Sequence, residues 1–428
     1  MSNLIQLITK KSLPIRSFGS SMAPIFQNND LIYFRKISFS KIKINDIIVF
    51  KKKDRLITHR VIYKTKNYLI CKGDNNLKTD GKIYPHQIIG KVYQIKRNNQ
   101  IFNPETLYLI QSTHYFNEIV KIKNEFDRKK INYVFLKGLP LHLYFEGKHP
   151  KRIYADCDVL IDKKDIDEAQ KILFQFGYQK ADTSLTSLQK QLKDKEVENA
   201  YWKNINGFPV VFDLHLEVVF MMTQLGKLDF LYPQTLIDQL TTEFLNNKKQ
   251  IKINNENFLI LNSEYLILYL ALHLFHHNFR GGFRYQFLDK IIKKYQISKI
   301  KNQKYKSKIE NTIFKYKLNN FVFPVFFLLK KYYQSPLPNN FLKNISPKNP
   351  LTRQLVNKIT KNINIFDDEP RLKAGINRFA NLFLLSQNPW WRKIFIFFNL
   401  QVIFMILWIG YKKISFIFSQ LFFFQKDH

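Results

Sequence analysis

The sequence predicts a multidomain chain: an all-β domain, then an α/β (α+β) domain, then a helical C-terminal part. Three observations carry this. The 428 residues exceed what one ordinary hydrophobic core organises. Apolar residues recur in short β-type runs from residue 31 to 95 and then change to helical intervals near residue 105. Beyond about residue 229 the pattern is mostly helical, ending in a long uncharged stretch.

The first domain, over residues 14–98, is built from LIYF, DIIVF, ITHRVIY, YLICK and IIGKVYQI, separated by Asn, Asp and Gly turns. TLYLIQSTHYFNEIVKIKNEFDRKK then spaces its apolar residues as a helix does and opens the α/β domain over 105–230. YVFLKG, the helix DIDEAQKILFQFGY and the strand VVFDLHLEVVF continue it. Residues 231–390 read as helical, with SEYLILYLALHLFHHNF as the strongest segment, and KNISPKNPLTRQL and FDDEPRL read as linkers. The tail over 392–424 holds an uncharged run, Ile394 to Tyr411, long enough to reach across a bilayer, with Asn399 and Gln401 inside it. Spanning the membrane and lying in its interface both fit this pattern, and basic pairs on both flanks leave the orientation open. A membrane is therefore expected as a partner of the tail. No internal repeat is present.

Sixty-eight Lys and Arg against 33 Asp and Glu give a formal charge of +35. Lys is spread evenly and rises together with Ile, Asn and Phe, as a general compositional bias produces, so a dedicated nucleic-acid partner is not expected. Cys71 and Cys157 match neither a metal-ligand spacing nor a disulfide framework, which fits a reducing compartment. In MSNLIQLITKKSLPIRS the apolar run is broken early by Lys10 and Lys11, so neither a secretory signal nor a span is read there and the amino end is expected in the cytosol.

Within SFGSSMAP, Ser21 is a candidate nucleophile, which requires a base to take its proton and donors for the charge that develops on the attacked carbonyl. The β domain offers His59 in RLITHRV and His86 in YPHQ as bases, and Asp74 or Asp80 in KGDNNLKTDG to orient an imidazole. Spacing alone does not choose among them. GSSMAP, NNDLIYFRK, INDIIVFKKK, ITHRVI and KGDNN with Asp80, in that order over residues 14–96, resemble the boxes of the type I signal peptidase family. HRV, where most bacterial members carry Lys, is similar to its microsomal-type branch, which works with a Ser and His pair. The resemblance implies an all-β signal-peptidase-like domain with Ser21 as nucleophile, His59 as general base, Asp80 as the orienting acid and Asp74 shaping the adjoining turn. Gly19 stands where relatives often carry a hydroxyl, leaving backbone N–H groups for the oxyanion. The amino-terminal anchor of such peptidases is missing here, so peptides inside the cell are the expected substrate, bound as an added strand with no cofactor.

RIYADCDVLI places Asp156 and Asp158 two residues apart in a β-type run, where alternate side chains share a face about 7 Å apart. Asp213 in VVFDLHLEV can join them from a neighbouring strand, and three such carboxylates suit Mg²⁺ around a triphosphate. A solvated strand face is the plainer reading of the motif. LKGLPLHLYFEGKHPKRIYADCDVLIDKKDIDEAQKILFQFGYQ, FDLHLEV and ALHLFHHNFRGGFRYQFLDK, within residues 105–390, are similar to the uncharacterised nucleotidyltransferase family of the polymerase-β-like superfamily. The resemblance implies Asp156, Asp158 and Asp213 as metal ligands, a nucleoside triphosphate as substrate, and Lys137, Gly138 and Arg152 as its phosphate-binding residues. His215, His273, His276 and His277 read as core or interface histidines.

No apolar span separates the two constellations, so both are expected on the cytoplasmic side, at a membrane held by the tail. The sequence thus leads to a bifunctional peptidase and nucleotidyltransferase that processes and modifies a small peptide. A signal peptidase I-type serine endopeptidase and a non-catalytic membrane-associated peptide-binding protein are the alternatives.

Overall fold

The computed structural model describes residues 14–154, 156–181, 197–205, 207–218, 222, 228–299, 303–400, 402–404 and 407. The N-terminal part is an antiparallel sheet of β1 (Ile15–Arg16), β2 (Leu31–Arg35), β3 (Ile47–Lys52), β4 (Arg55–Lys64), β5 (Leu69–Lys72), β6 (Lys82–Ile83), β7 (Ile88–Arg97) and β8 (Gln100–Phe102). Its order is β1-β2-β7-β3-β4-β5-β6, with β8 paired to β7. Successive β3 residues point to opposite faces, as the pleat requires. Ile47 and Val49 pack with Met22, Phe26 and Ile95, whereas Ile48 and Phe50 pack with Val61, Leu69 and Cys71. Both faces are thus apolar, which explains why these strands read as nearly continuous hydrophobic runs.

Helix α1 (Pro104–Arg128) starts at Asn103, whose side chain accepts the Glu105 N–H. It leads into a mixed sheet formed by β9 (Tyr133–Lys137), β10 (Cys157–Ile161), β11 (Gln179–Lys180), β12 (Glu198–Ile205), β13 (Phe208–His215), β14 (Lys248–Ile253) and β15 (Glu256–Leu261). The strand order is β11-β12-β13-β10-β9-β15-β14. Helices α2 (Leu139–Glu146), α3 (Ile166–Gln175) and α4 (Gln234–Asn246) connect the strands. The hairpin β14–β15 corrects the helical reading of residues 231–390. KKQIKINNENFLIL turns at Asn254 and Asn255, both left-handed with φ of 48° and 70°, the geometry that tight hairpins need.

The helical remainder comprises α5 (Ser263–His276), α6 (Gly282–Lys299), α7 (Gln303–Lys315), α8 (Asn319–Tyr333), α9 (Asn339–Ile345), α10 (Pro350–Asn362), α11 (Arg371–Leu385) and α12 (Trp390–Ile394). It does not form a separate unit: one hydrophobic core runs from Tyr115 through the mixed sheet and α5 to Leu385 and Val402. The expected division near residue 230 therefore falls inside a single core.

The uncharged run from Ile394 is not one continuous helix. α12 stops at Ile394, a 3₁₀ turn covers Phe395–Phe398, and Asn399 is extended with ψ 116°. No helix among the described residues is long and apolar enough to cross a membrane. Residues 408–428 lie outside the described set.

Arg60 ties the two halves together. Its guanidinium, almost fully buried, donates to Asp74 (2.6 and 2.5 Å), Asn45 O (3.1 Å), Lys151 O (2.8 Å) and the Tyr108 hydroxyl (2.7 Å). Asp74, expected to shape its turn, pairs through both carboxylate oxygens with Arg60. Truncating one partner of a buried ion pair leaves the others unsatisfied, so Arg60→Ala is expected to lower stability by about 3–5 kcal/mol in urea unfolding, and Arg60→Lys by less.

Candidate functional site

Two constellations form in the folded chain. In the β domain, His59 stands on β4, opposite Ile48 of β3. Its Nδ1 lies 2.7 Å from Asp80 Oδ2 and its Nε2 lies 3.0 Å from Ser21 Oγ. A carboxylate can only accept, so Nδ1 carries the proton and Nε2 is left to accept from the serine hydroxyl. His59 and Asp80 are buried at their contact, whereas Ser21 is half-buried in a turn. The turn is anchored from the facing loop, where Asn75 N–H donates to Ser21 O at 2.8 Å. The Ser21 backbone N–H makes no hydrogen bond among the described residues. His86 is exposed and stacks on Tyr84, away from Ser21.

The acidic constellation is built on the centre of the mixed sheet. Asp158 lies directly beside Asp213 of the parallel strand β13 and beside Lys137 of the antiparallel strand β9. These three side chains therefore form one row across the sheet. Asp156 precedes β10 and joins them, and ligand oxygens of the three carboxylates lie within 4.8 Å of one another. Gly138, at φ 108°, lets β9 turn into α2 against β10; a Cβ there would stand 3.2 Å from Asp156 O and from Cys157 Cα.

Lys137 does not project freely as a phosphate ligand. Its Nζ sits 2.7 Å from Asp156 Oδ2 and 2.6 Å from Asp158 Oδ2. Burial works against its charge, but Asp158 and Asp156 outweigh it and hold the ammonium above its ordinary range. For Asp158 burial would raise the carboxyl, yet Lys137 and His215 keep it below its ordinary value. Asp213 has no ion-paired cation among the described residues: burial first, then Asp158 and Glu198, push it up to about 7, against a smaller opposing pull from His215.

His215, read as a core histidine, is buried and places Nε2 2.9 Å from Asp158 Oδ1. It lies outside the carboxylate group and orients one member of it. Its position two residues after Asp213 on the same strand was the available signal. Its neighbours in the reading, His273 and His277, face each other at 3.3 Å and are held well below the ordinary imidazole range, chiefly by burial.

Of the three carboxylates, Asp156 lines a cavity of about 450 Å³, together with Lys137 and Gly138. Seven Lys or Arg line it against Glu146 and Asp156, a balance that suits an anionic ligand. Arg152 lies between the rings of Tyr154 and Phe283, at 4.3 and 4.4 Å from their centroids. Lys43, Ile44 and Asn45 of the β domain close one wall, a contribution that no local sequence pattern announces.

These residues fit a divalent cation. The donors are hard oxygens, an ammonium already bridges two of them, and the buried Asp158 Oδ2 has a charged neighbour but no aligned hydrogen bond.

The raised carboxyl has a consequence for stability. Between pH 4 and 7 the unfolded chain releases the Asp213 proton before the folded chain does, so stability falls as pH rises through this window. Without divalent cations, Asp213→Asn is expected to match the wild type near pH 4 and to exceed it by about 1–3 kcal/mol above pH 7 in thermal unfolding.

Residues 102–300, a little under half of the chain, match the model of the family described as uncharacterised nucleotidyltransferase. The match stops short of the helices beyond residue 300 and does not reach residues 14–98. No curated protein matches the chain. Among solved structures, an antigenic nucleotidyltransferase-like protein from Paracoccidioides brasiliensis is similar at 15% identity, over 44% of this chain and 75% of that one, with a TM-score of 0.27. On the family match over residues 102–300, the chain contains a nucleotidyltransferase-like domain, in which Asp156, Asp158 and Asp213 come together.

Proposed function

We propose that this protein is a bifunctional enzyme in which the nucleotidyltransferase-like domain transfers a nucleotidyl group from a nucleoside triphosphate and the β domain hydrolyses a peptide bond. The observation that carries the first activity is the carboxylate trio, one member of which, Asp156, lines a basic cavity. An acceptor hydroxyl attacks the α-phosphate, its proton is lost and pyrophosphate leaves. Asp156, Asp158 and Asp213 would hold Mg²⁺, which when bound supplies neutralisation of the charge on the reacting phosphate. Arg152, fixed between two rings, and Lys137, once released from the carboxylates, bind phosphate oxygens.

The second activity is favoured by the continuous Ser21–His59–Asp80 relay of hydrogen bonds. His59 Nε2 takes the Ser21 proton as Oγ attacks the carbonyl, Asp80 holds the imidazole in the competent tautomer, and the Ser21 N–H is available to the oxyanion. A small peptide that is cut and modified on the cytoplasmic side accounts for both sites in one chain. The exposed Trp390, Trp391, Phe398 and Leu400, beside Arg392 and Lys393, suit the interface of an anionic membrane.

Three measurements test this reading. Magnesium-dependent pyrophosphate release from a nucleoside triphosphate is expected to fall on the order of 10²-fold or more in Asp158→Asn. A fluorophosphonate probe is expected to label Ser21, with no labelling of Ser21→Ala and on the order of 10³-fold slower labelling of His59→Ala; an unlabelled wild type would reduce the β domain to peptide capture. Flotation with phosphatidylserine vesicles is expected to carry the wild type and to lose Trp390→Ala/Trp391→Ala.

A further inference from the structure

A second, smaller cavity of about 260 Å³ lies between the end of α5, the start of α6 and α11. Its wall holds three guanidinium groups, those of Arg280, Arg284 and Arg378, and two carboxylates, those of Asp368 and Glu369. Both carboxylates are already engaged. Lys72 of the β domain pairs with Asp368, while Glu369 pairs with Arg280 and accepts from the amides of Asn278 (3.0 Å) and Asn377 (2.7 Å).

Arg284 and Arg378 are left over. Arg378 Nε donates to the backbone carbonyl of His276 at 2.6 Å, and Arg284 lies over the Phe283 ring at 4.7 Å. Neither guanidinium has a carboxylate partner among the described residues. Burial holds Arg378 down to about 10 and Arg284 below its ordinary range, the sign of positive charge taken out of water without full compensation. Asp156 and Asp368 act on Arg284 and Glu198 on Arg378 only from a distance, and an arginine does not shed its proton in a protein, so an anion in the cavity would supply the close negative charge that both lack. Planar guanidinium groups pair best with phosphate or carboxylate oxygens.

We propose that this cavity is an anion subsite that takes a phosphate or pyrophosphate group between Arg284 and Arg378. Phe283 and Arg284 also line the larger cavity that contains Asp156, so the two spaces share one wall. The same chemistry has two sources. It is the terminal phosphates of a nucleoside triphosphate whose α-phosphate lies at the carboxylates, or it is a separate phosphorylated ligand. Only the first source rests on the nucleotidyltransferase reading.

The test is calorimetry of inorganic pyrophosphate with the full chain in the absence of divalent cations. Binding at millimolar concentration or tighter is expected for the wild type and for Asp156→Asn, weakened about tenfold or more in Arg284→Gln and in Arg378→Gln. Failure of the transferase reading would show separately, as pyrophosphate release that Asp156→Asn does not reduce. A nucleoside triphosphate that loses affinity in Arg378→Gln in parallel with pyrophosphate identifies the triphosphate tail; one that is unaffected identifies a separate ligand. Should the variants fail to fold, phenylglyoxal modification of the wild type decides, with pyrophosphate expected to protect Arg284 and Arg378. An absent pyrophosphate heat, equal affinity in wild type and variants, or unchanged modification rates would each overturn the proposal.

Discussion

Three carboxylates gathered at the centre of a sheet repel one another, and the surrounding structure is organised around that repulsion. Asp158 is fully buried, and its charge is sustained by Lys137 on one side and His215 on the other. Asp213 stands next to it across a parallel ladder with no ion-paired cation among the described residues, and it keeps its proton up to about pH 7. Low local dielectric makes such a cluster costly unless positive charge enters it, and Lys137 is the positive charge that does so here. The basic lining of the neighbouring cavity extends this field outward, toward the place where phosphates would lie.

The β domain is coupled to this centre by construction. His59 and Arg60 are consecutive on β4 and serve different sites: the imidazole reaches Ser21, whereas the guanidinium reaches Asp74, Tyr108 and the loop that carries Lys151 and Arg152. Alternation along a strand makes this possible, since neighbouring side chains leave on opposite faces. A second tie joins Thr79 N–H to Asp367 at 2.9 Å and Asp368 N–H to Leu77 O at 2.7 Å, close to Asp80 and to the arginine cavity. Helix α1 completes the contact by burying Tyr108 in the core of the β sheet. The two constellations therefore sit on one connected framework, and Lys43 to Asn45 of the first domain wall the cavity of the second.

Much of this was legible along the chain because it depends on short-range pattern. The β runs, the change to helical spacing near residue 105 and the helix that follows it depend on periodicity and punctuation. Asp156 and Asp158 share a spacing that declares a common face, and Ser21, His59 and Asp80 stand in boxes of recognisable order. The hairpin at residues 248–261 is masked because its first strand, KKQIKI, sets only Ile251 and Ile253 among Lys and Gln, while its second, ENFLIL, is a short apolar run that a helix could equally carry. The tail reads as one apolar run, but nothing in hydropathy reports the extended Asn399 that interrupts it.

By itself the sequence determined which residue types could do chemistry and which strand or turn each would occupy, since those depend on neighbours a few positions away. Tertiary structure alone decided which of them meet. The pairing of Asp158 with Asp213, the insertion of Lys137 between carboxylates, the selection of Asp80 over Asp74 for His59, and the two guanidinium groups with no ion-paired carboxylate among the described residues all depend on strand register and on packing between distant segments. A sheet joins residues far apart in the chain through backbone hydrogen bonds that carry no side-chain identity, so no local pattern records who lies beside whom.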